Sequence, residues 1–330
     1  AVIEALENVR EEKTPHLLHL ITRKGKGYKP AEEDSIKYHG VKANSLEPAL
    51  KEKPVQVVKP EKKVLTYSHI FTDTLIDLAP VEPDMVAITP ATAEGSGLVK
   101  FSKVYPDRFY DVAICEQHAV TMAAGMAKKG LKPVVSIYST FLQRAMDQVI
   151  HDVAIMTLPV LFGIDRGGIV EDGETHQGVF DIAYLRSIPN FTVLAPKDAP
   201  ELRNMIYSAL QDGSGPVAVR FPRDTATGYE TIESGSASFR KIDYKKWLKV
   251  KEGNSSIKII AYGSMVEVAL KAADLVEKEG IEPEIIYARS VKPLDEGMLE
   301  ETFNDETATI ITVEEGCLAG GFGSAILEWA

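Results

Sequence analysis

The chain has 330 residues, 45% of them hydrophobic, and 37 Lys and Arg stand against 48 Asp and Glu for a formal charge of −11. That length exceeds one ordinary core and suits two or three domains. So acidic a chain is a poor candidate for wrapping nucleic acid, which selects a basic face, although local positive groups could still hold a small anion.

In chain order, Val2 to Val9 has helical spacing and His16–Thr22 (HLLHLIT) reads as a short buried strand. A Gly-punctuated turn follows at Arg23 to Tyr28, and Lys29 to Lys63 is a Pro-, Lys- and Glu-rich linker. From Thr66 the pattern becomes regular. A helix at His69–Leu78 and a strand at Met85–Thr89 precede a strand at Phe109–Cys115, which runs directly into a helix at Glu116–Lys129. Strand Pro133–Tyr138, helix Phe141–Met156 and strand Pro159–Asp165 lead to a polar loop, Arg166–Gly178. Helix Ala183–Ser187, strand Phe191–Ala195, helix Ala199–Gln211 and strand Pro216–Phe221 complete this alternation. Strands separated by helices imply right-handed βαβ units and a mostly parallel α/β sheet. A polar stretch, Thr231 to Asn254, marks a second boundary. Strand Ile257–Tyr262, helix Met265–Glu279, strand Glu284–Ala288, helix Glu296–Phe303, strand Thr307–Thr312 and a helix from near Phe322 follow. Three strands make a poor independent sheet, so this last α/β domain reads as incomplete.

Cys115 and Cys317 are far apart and match no metal spacing, which suits two buried thiols in a reducing compartment. No apolar run approaches the roughly 20 residues of a spanning helix, and Ala1 to Lys13 carries no signal-peptide pattern. The expectation is a cytoplasmic protein with no membrane partner.

Four segments fall where strand ends meet helix starts, the usual ligand position of an open α/β sheet. Glu116-Gln117-His118 opens a helix, where an acid is favoured by the dipole, so Glu116 reads equally as a site carboxylate or a helix-start acid. In Tyr138–Arg144 (YSTFLQR), Phe141, Arg144 and Gln148 share a helical face that could hold a flat ring, or serve as core aromatic plus surface arginine. The loop with Arg166, Glu171, Asp172 and His176 is either a binding loop or a solvated one. Arg220 and Arg223 in VRFPR suit a phosphate, or surface ion pairs.

The strings Asp111–Gly125 (DVAICEQHAVTMAAG), Tyr138–Gln148 (YSTFLQRAMDQ), Thr175–Gly178 (THQG), Val219–Arg223 (VRFPR), Thr89–Gly97 (TPATAEGSG) and Lys292–Asp295 (KPLD) resemble the 1-deoxy-D-xylulose-5-phosphate synthase family of transketolase-like enzymes. The resemblance implies a parallel-sheet pyrimidine-binding domain at 64–230 and a partial transketolase-type C-terminal domain at 255–330. Residues 1–28 match the tail of an N-terminal diphosphate-binding domain, with 29–63 and 231–254 as linkers. It implies thiamine diphosphate as cofactor, with Mg²⁺ held by ligands of the absent N-terminal domain and no metal ligand here. Pyruvate and glyceraldehyde 3-phosphate would be the substrates of a homodimer, in the entry step to isoprenoids and to thiamine and pyridoxal precursors. Residue by residue, Glu116 matches the glutamate that hydrogen-bonds the cofactor's aminopyrimidine, and Phe141 the aromatic that stacks on it. Arg144 matches a residue that orients the site. Tyr138, Arg166 and Arg223 match groups around the acceptor, with the two arginines facing its phosphate. Asp172 and His176 match residues near the reacting carbons, and His39 a linker histidine near the substrate. With half of the cofactor site, the fragment alone is expected to be inactive. The alternatives are the beta subunit of a pyruvate dehydrogenase decarboxylating component, or a non-catalytic dimerising pyrimidine-domain protein.

Overall fold

The computed structural model describes residues 2–33, 38, 65–232, 235 and 238–330. They fall into two compact units, Ala1–Glu61 and Lys62–Ala330. The first holds helices α1 (Val2–Arg10) and α2 (Lys29–Glu33), so the linker expected from Lys29 starts with a helical turn. His16–Thr22 is not a strand: Leu17 is 96% and Ile21 89% exposed. An apolar run becomes a strand only when another strand accepts its backbone hydrogen bonds, and none does so among the described residues. Most of the linker, His39 included, lies outside the described residues.

The second unit runs α3 (Tyr67–Leu78), β1 (Met85–Thr89), α4 (Val99–Val104), β2 (Phe109–Asp111), α5 (Glu116–Lys128) and β3 (Lys132–Tyr138). Two short helices, α6 (Ser139–Leu142) and α7 (Met146–Gln148), precede β4 (Leu161–Asp165), α8 (Asp181–Ser187), β5 (Thr192–Leu194), α9 (Ala199–Asp212) and β6 (Val217–Arg220). Then come β7 (Leu248–Lys251), β8 (Ile257–Tyr262), α10 (Met265–Val276), β9 (Glu284–Ala288), β10 (Ser290–Lys292), α11 (Glu296–Phe303), β11 (Thr309–Val313) and α12 (Phe322–Trp329).

The first sheet has seven strands in the order β10-β5-β6-β4-β3-β1-β2. All pairs are parallel except β10 with β5. Period-two alternation divides its side chains between two cores. Val135, Ile137, Phe162 and Ile164 pack with Ala119, Val120 and Ala123 of α5. Val134, Leu161, Val217 and Val219 pack with Phe71 and Leu75 of α3 and Leu202 and Ile206 of α9. Burial on both faces is why these strands are almost purely apolar. Local chemistry sets the helix starts. Asp198 caps α9 by accepting from Glu201 N at 2.8 Å, and Gly213, at φ 60°, ends it.

Two predicted elements change form. The strand from Phe109 stops at Asp111, whose Oδ1 accepts from Ala91 N and Ala113 N, both at 3.0 Å. Ala113 sits at φ 58°, so Val112–Cys115 turns the chain into α5 instead of running straight into it. The expected helix Phe141–Met156 is broken: a 3₁₀ turn at Gln143–Ala145 divides it, and a π-helix spans Val149–Ala154. Val149, Val153 and Ala154 are the buried residues of this segment.

The second sheet has four strands, β11-β8-β9-β7, not the three expected. β7 lies inside the stretch read as a boundary and pairs antiparallel with β9. It is anchored by buried Trp247, whose Nε1 donates to the Ser290 carbonyl at 3.0 Å and whose backbone N–H donates to Asp295 at 2.8 Å. The cores continue into this sheet through Ile260, Tyr262 and Ile286 on one side and Ala261, Ile285 and Tyr287 on the other.

Candidate active site

The carboxyl ends of β3, β4 and β6 lie side by side, with Tyr138 opposite Asp165 and Ile164 opposite Arg220. The Tyr138 ring stacks on Phe141 at 5.2 Å between centroids, and Phe141 meets the His176 ring edge-on at 5.4 Å. Arg166 lies over the other side of Tyr138, 3.6 Å from the ring centre, a cation–π contact in a largely buried setting. Its Nε donates to Asp172 at 3.0 Å, and Asp172 also accepts from Arg223. Thus Tyr138, Phe141, Arg166, Asp172, His176 and Arg223, six of the residues singled out in the sequence, form one connected cluster.

Two glycines make the cluster possible. A Cβ on Gly95 would lie 1.6 Å from the Tyr138 hydroxyl, and one on Gly178 would lie 2.1 Å from the Arg166 carbonyl. Any side chain at either place would displace the site. Arg166 itself takes φ 60°, an uncommon backbone for a non-glycine, directly after the strand.

The electrostatics follow from burial. Asp165 is fully enclosed, and desolvation pushes its carboxyl up to about 6 despite Arg166 and a 2.6 Å hydrogen bond from Ser68. Burial raises the Tyr138 phenol to about 12, against the pull of Arg166 and Arg223. For Asp172, partial burial is outweighed by hydrogen bonds from Arg223 and Arg166, which hold it below the usual carboxylate range. The sequence gives Asp165 and Gly95 no role of their own, although Gly95 lies within the string TPATAEGSG. A carboxylate ending the apolar strand LFGID was the available signal for Asp165.

The remaining expected residues stand apart from the cluster. Glu116 opens α5 and is 3% exposed, and its Oε2 is buried with no hydrogen-bond partner among the described residues. Arg144 is exposed in the 3₁₀ turn that divides the expected helix. Arg220 does not face outward with Arg223: it is buried in an ion pair with Asp181 at 2.8 Å. The cysteines are free but not buried; Cys115 is exposed and Cys317 half-buried. Among the described residues no helix is long and apolar enough to cross a membrane.

Known proteins supply an independent comparison. The family described as transketolase, pyrimidine binding domain, matches residues 63–227, and transketolase, C-terminal domain, matches residues 245–330. The 1-deoxy-D-xylulose-5-phosphate synthase of Aquifex aeolicus is 49% identical over the whole chain, which covers 50% of that protein. Those of Vibrio atlanticus and Bacillus mycoides are 46% and 44% identical, with 51% of each covered. The chain therefore spans about half the length of the curated relatives it matches. Among solved structures, a split-gene transketolase, an inactive beta4 tetramer, aligns with a TM-score of 0.69 at 27% identity, over 81% of this chain and 85% of that one. A Pichia stipitis transketolase in complex with sedoheptulose-7-phosphate shares the fold alone, at 19% identity and a TM-score of 0.62 over 82% of this chain and 44% of its own. The chain belongs to the transketolase family and carries its pyrimidine binding and C-terminal domains.

Proposed function

We propose that the whole protein is a 1-deoxy-D-xylulose-5-phosphate synthase, joining pyruvate, with loss of CO₂, to glyceraldehyde 3-phosphate. The 44–49% identity to synthases of that name favours this reading over a pyruvate dehydrogenase subunit or a non-catalytic scaffold. The observation that carries it is Glu116, a buried carboxylate with an unpartnered oxygen at the start of a helix beside a parallel sheet. Such a group costs free energy unless a polar partner meets it, and the ring nitrogen of an aminopyrimidine, which can share a proton with a carboxyl, is a partner of the right kind. The residues therefore fit thiamine diphosphate, which when bound supplies a nucleophilic carbon that attacks the keto group of pyruvate.

In this reading Glu116 holds a proton at a ring nitrogen of the cofactor, and Phe141 offers a flat apolar face to the ring. Arg166 and Arg223 bind the phosphate of the acceptor, for which a pair of guanidinium forks is well shaped. Asp172 keeps both forks oriented, and Tyr138 supports Arg166 from beneath. His176, on the same loop as Asp172, exchanges a proton with the acceptor oxygen through its imidazole. His39 is assigned a supporting role near the substrate, and Arg144 one in orienting the site. Mg²⁺ would neutralise the diphosphate from ligands in the other half of the whole protein. A cytoplasmic homodimer in which this chain alone is inactive completes the proposal. Residues 1–28 belong in it to the tail of the diphosphate-binding domain, followed by linker 29–63, pyrimidine domain 64–230, linker 231–254 and C-terminal domain 255–330.

The test is a titration of the whole protein with thiamine diphosphate, for the natural sequence and Glu116→Gln, with product formation as second readout. Loss of turnover in the variant is expected; equal turnover in both would end the proposal.

A further inference from the structure

The two arginines of VRFPR have opposite fates. Arg223 reaches Asp172 at the rim, while Arg220, at the end of β6, is 4% exposed and turns inward. Its Nε donates to Asp181 Oδ2 at 2.8 Å, and its Nη2 donates to the Gly178 carbonyl at 3.0 Å and the Glu315 carbonyl at 2.5 Å. Asp181 is wholly buried at the first position of α8, and its other oxygen accepts from Ile182 N at 2.9 Å. One guanidinium thus ties together the end of a strand, the start of a helix, the far end of the Arg166–Gly178 loop and a turn of the C-terminal domain.

The loop is closed where Arg220 grips it. Gly168 N donates to the Gly178 carbonyl at 2.7 Å and Gly178 N to the Gly168 carbonyl at 2.8 Å. Asp172 and His176 both lie between these two glycines. The turn from the C-terminal domain presses on the same neck: Cys317 N donates to the Val179 carbonyl at 2.9 Å, and a Cβ on Gly168 would lie 2.8 Å from the Glu315 carboxyl carbon. Arginine suits this junction because its planar fork serves an anion and two carbonyls at once, which a lysine point charge cannot do in fixed geometry.

We infer that Arg220 is a positioning residue. It fixes the neck of the 168–178 loop and couples it to the 314–317 turn, so that the C-terminal domain sets where Asp172 and His176 stand. The inference rests on the assignment of those two residues to the acceptor side of the site. It predicts that damage at Arg220 acts on the acceptor more than on the cofactor, since Glu116 lies on α5 and Phe141, though it meets His176 edge-on, is carried by α6.

The experiment compares Arg220→Lys and Asp181→Asn with the natural sequence in the whole protein. Hydrogen–deuterium exchange is followed in peptides covering 168–178, and thiamine diphosphate affinity and the KM for glyceraldehyde 3-phosphate are measured. Loss of hydrogen bonds to a buried charge is expected to speed exchange at the loop neck and raise that KM by about tenfold in Arg220→Lys, less in Asp181→Asn. Cofactor affinity is expected to stay within about twofold. Unchanged loop exchange in both variants, or a fall in cofactor affinity matching the rise in KM, overturns the inference. If Arg220→Lys gives no cooperative melt, Asp181→Asn decides on the same readouts. Arg223→Ala is the control: an unchanged acceptor KM there condemns the proposed function, while the exchange data still judge Arg220.

Discussion

Two carboxylates that follow strands of the first sheet, Asp172 after β4 and Glu116 after β2, are treated in opposite ways. Asp172 is partly open to solvent and accepts from two arginines. Glu116 is enclosed, and its Oε2 has no partner among the described residues. The fold completes the first within its own chain, which fixes the geometry of a loop before anything binds. The second leaves a buried oxygen that only a polar partner from outside the described residues can satisfy. Under the proposed function the contrast separates an anion-reading rim, organised by the protein itself, from a ring-reading position organised for a ligand.

The largest effect is expected at Glu116. In the whole protein Glu116→Gln should lower kcat by roughly 10²–10⁴-fold, the range of a lost proton-transfer group. Its thermal midpoint should hold or rise, because a buried acid gives way to a neutral amide. A variant that lost stability along with activity would show that Glu116 serves the fold and would collapse the contrast. Next, Arg223→Ala should raise the KM for glyceraldehyde 3-phosphate by about 10–100-fold with a smaller change in kcat, from the loss of a charge-assisted contact. Steady-state kinetics with a non-phosphorylated aldehyde, which should not discriminate the variant, sharpens the reading.

Asp165 extends the contrast into pH. Its folded-state pKa of about 6 lies above the ordinary 3.8, so between these values the folded protein keeps a proton that the unfolded chain has released. Stability is expected to fall as pH rises from about 4 to about 6 through this group, by roughly 3 kcal/mol. Asp165→Asn should flatten that part of the profile, which denaturant melts across the range would record. The smallest effect belongs to Asp172, whose pKa is held down. Its contribution is present above the ordinary carboxylate range and lost as pH falls through the depressed value. Asp172→Asn should remove about 1 kcal/mol of acid-sensitive stability, since the pair is partly exposed.

Legibility of the sequence followed burial. Met85–Thr89, Ile257–Tyr262 and Glu284–Ala288 form strands with the bounds read from sequence, because both faces of each are covered or nearly so and the apolar run ends where the strand does. β7 was missed because Leu248–Lys251 alternates lysine with apolar residues at an edge, a pattern shared with loops. The run His16–Thr22 misled in the other direction: its composition is that of a core strand, but pairing is a property of two segments. Within the site, Tyr138, Phe141, His176 and Arg223 were legible through their strings, and Arg166 and Asp172 through the polar loop that follows a strand. The inward turn of Arg220 was not readable, because two of its three acceptors are backbone carbonyls and the third, Asp181, is 39 residues away.

The strand Ser290–Lys292 has a practical meaning for anyone who would dissect or recombine this protein. It comes from beyond the polar stretch at 231–254, yet it seals the border of the first sheet by lying antiparallel to Thr192–Leu194. Severing the gene at that stretch would bare the hydrogen-bonding groups of Thr192–Leu194 and invite sticking or strand exchange between copies. A chimera made with a relative should therefore draw both halves of this seam from one parent, even though the seam joins residues almost a hundred positions apart.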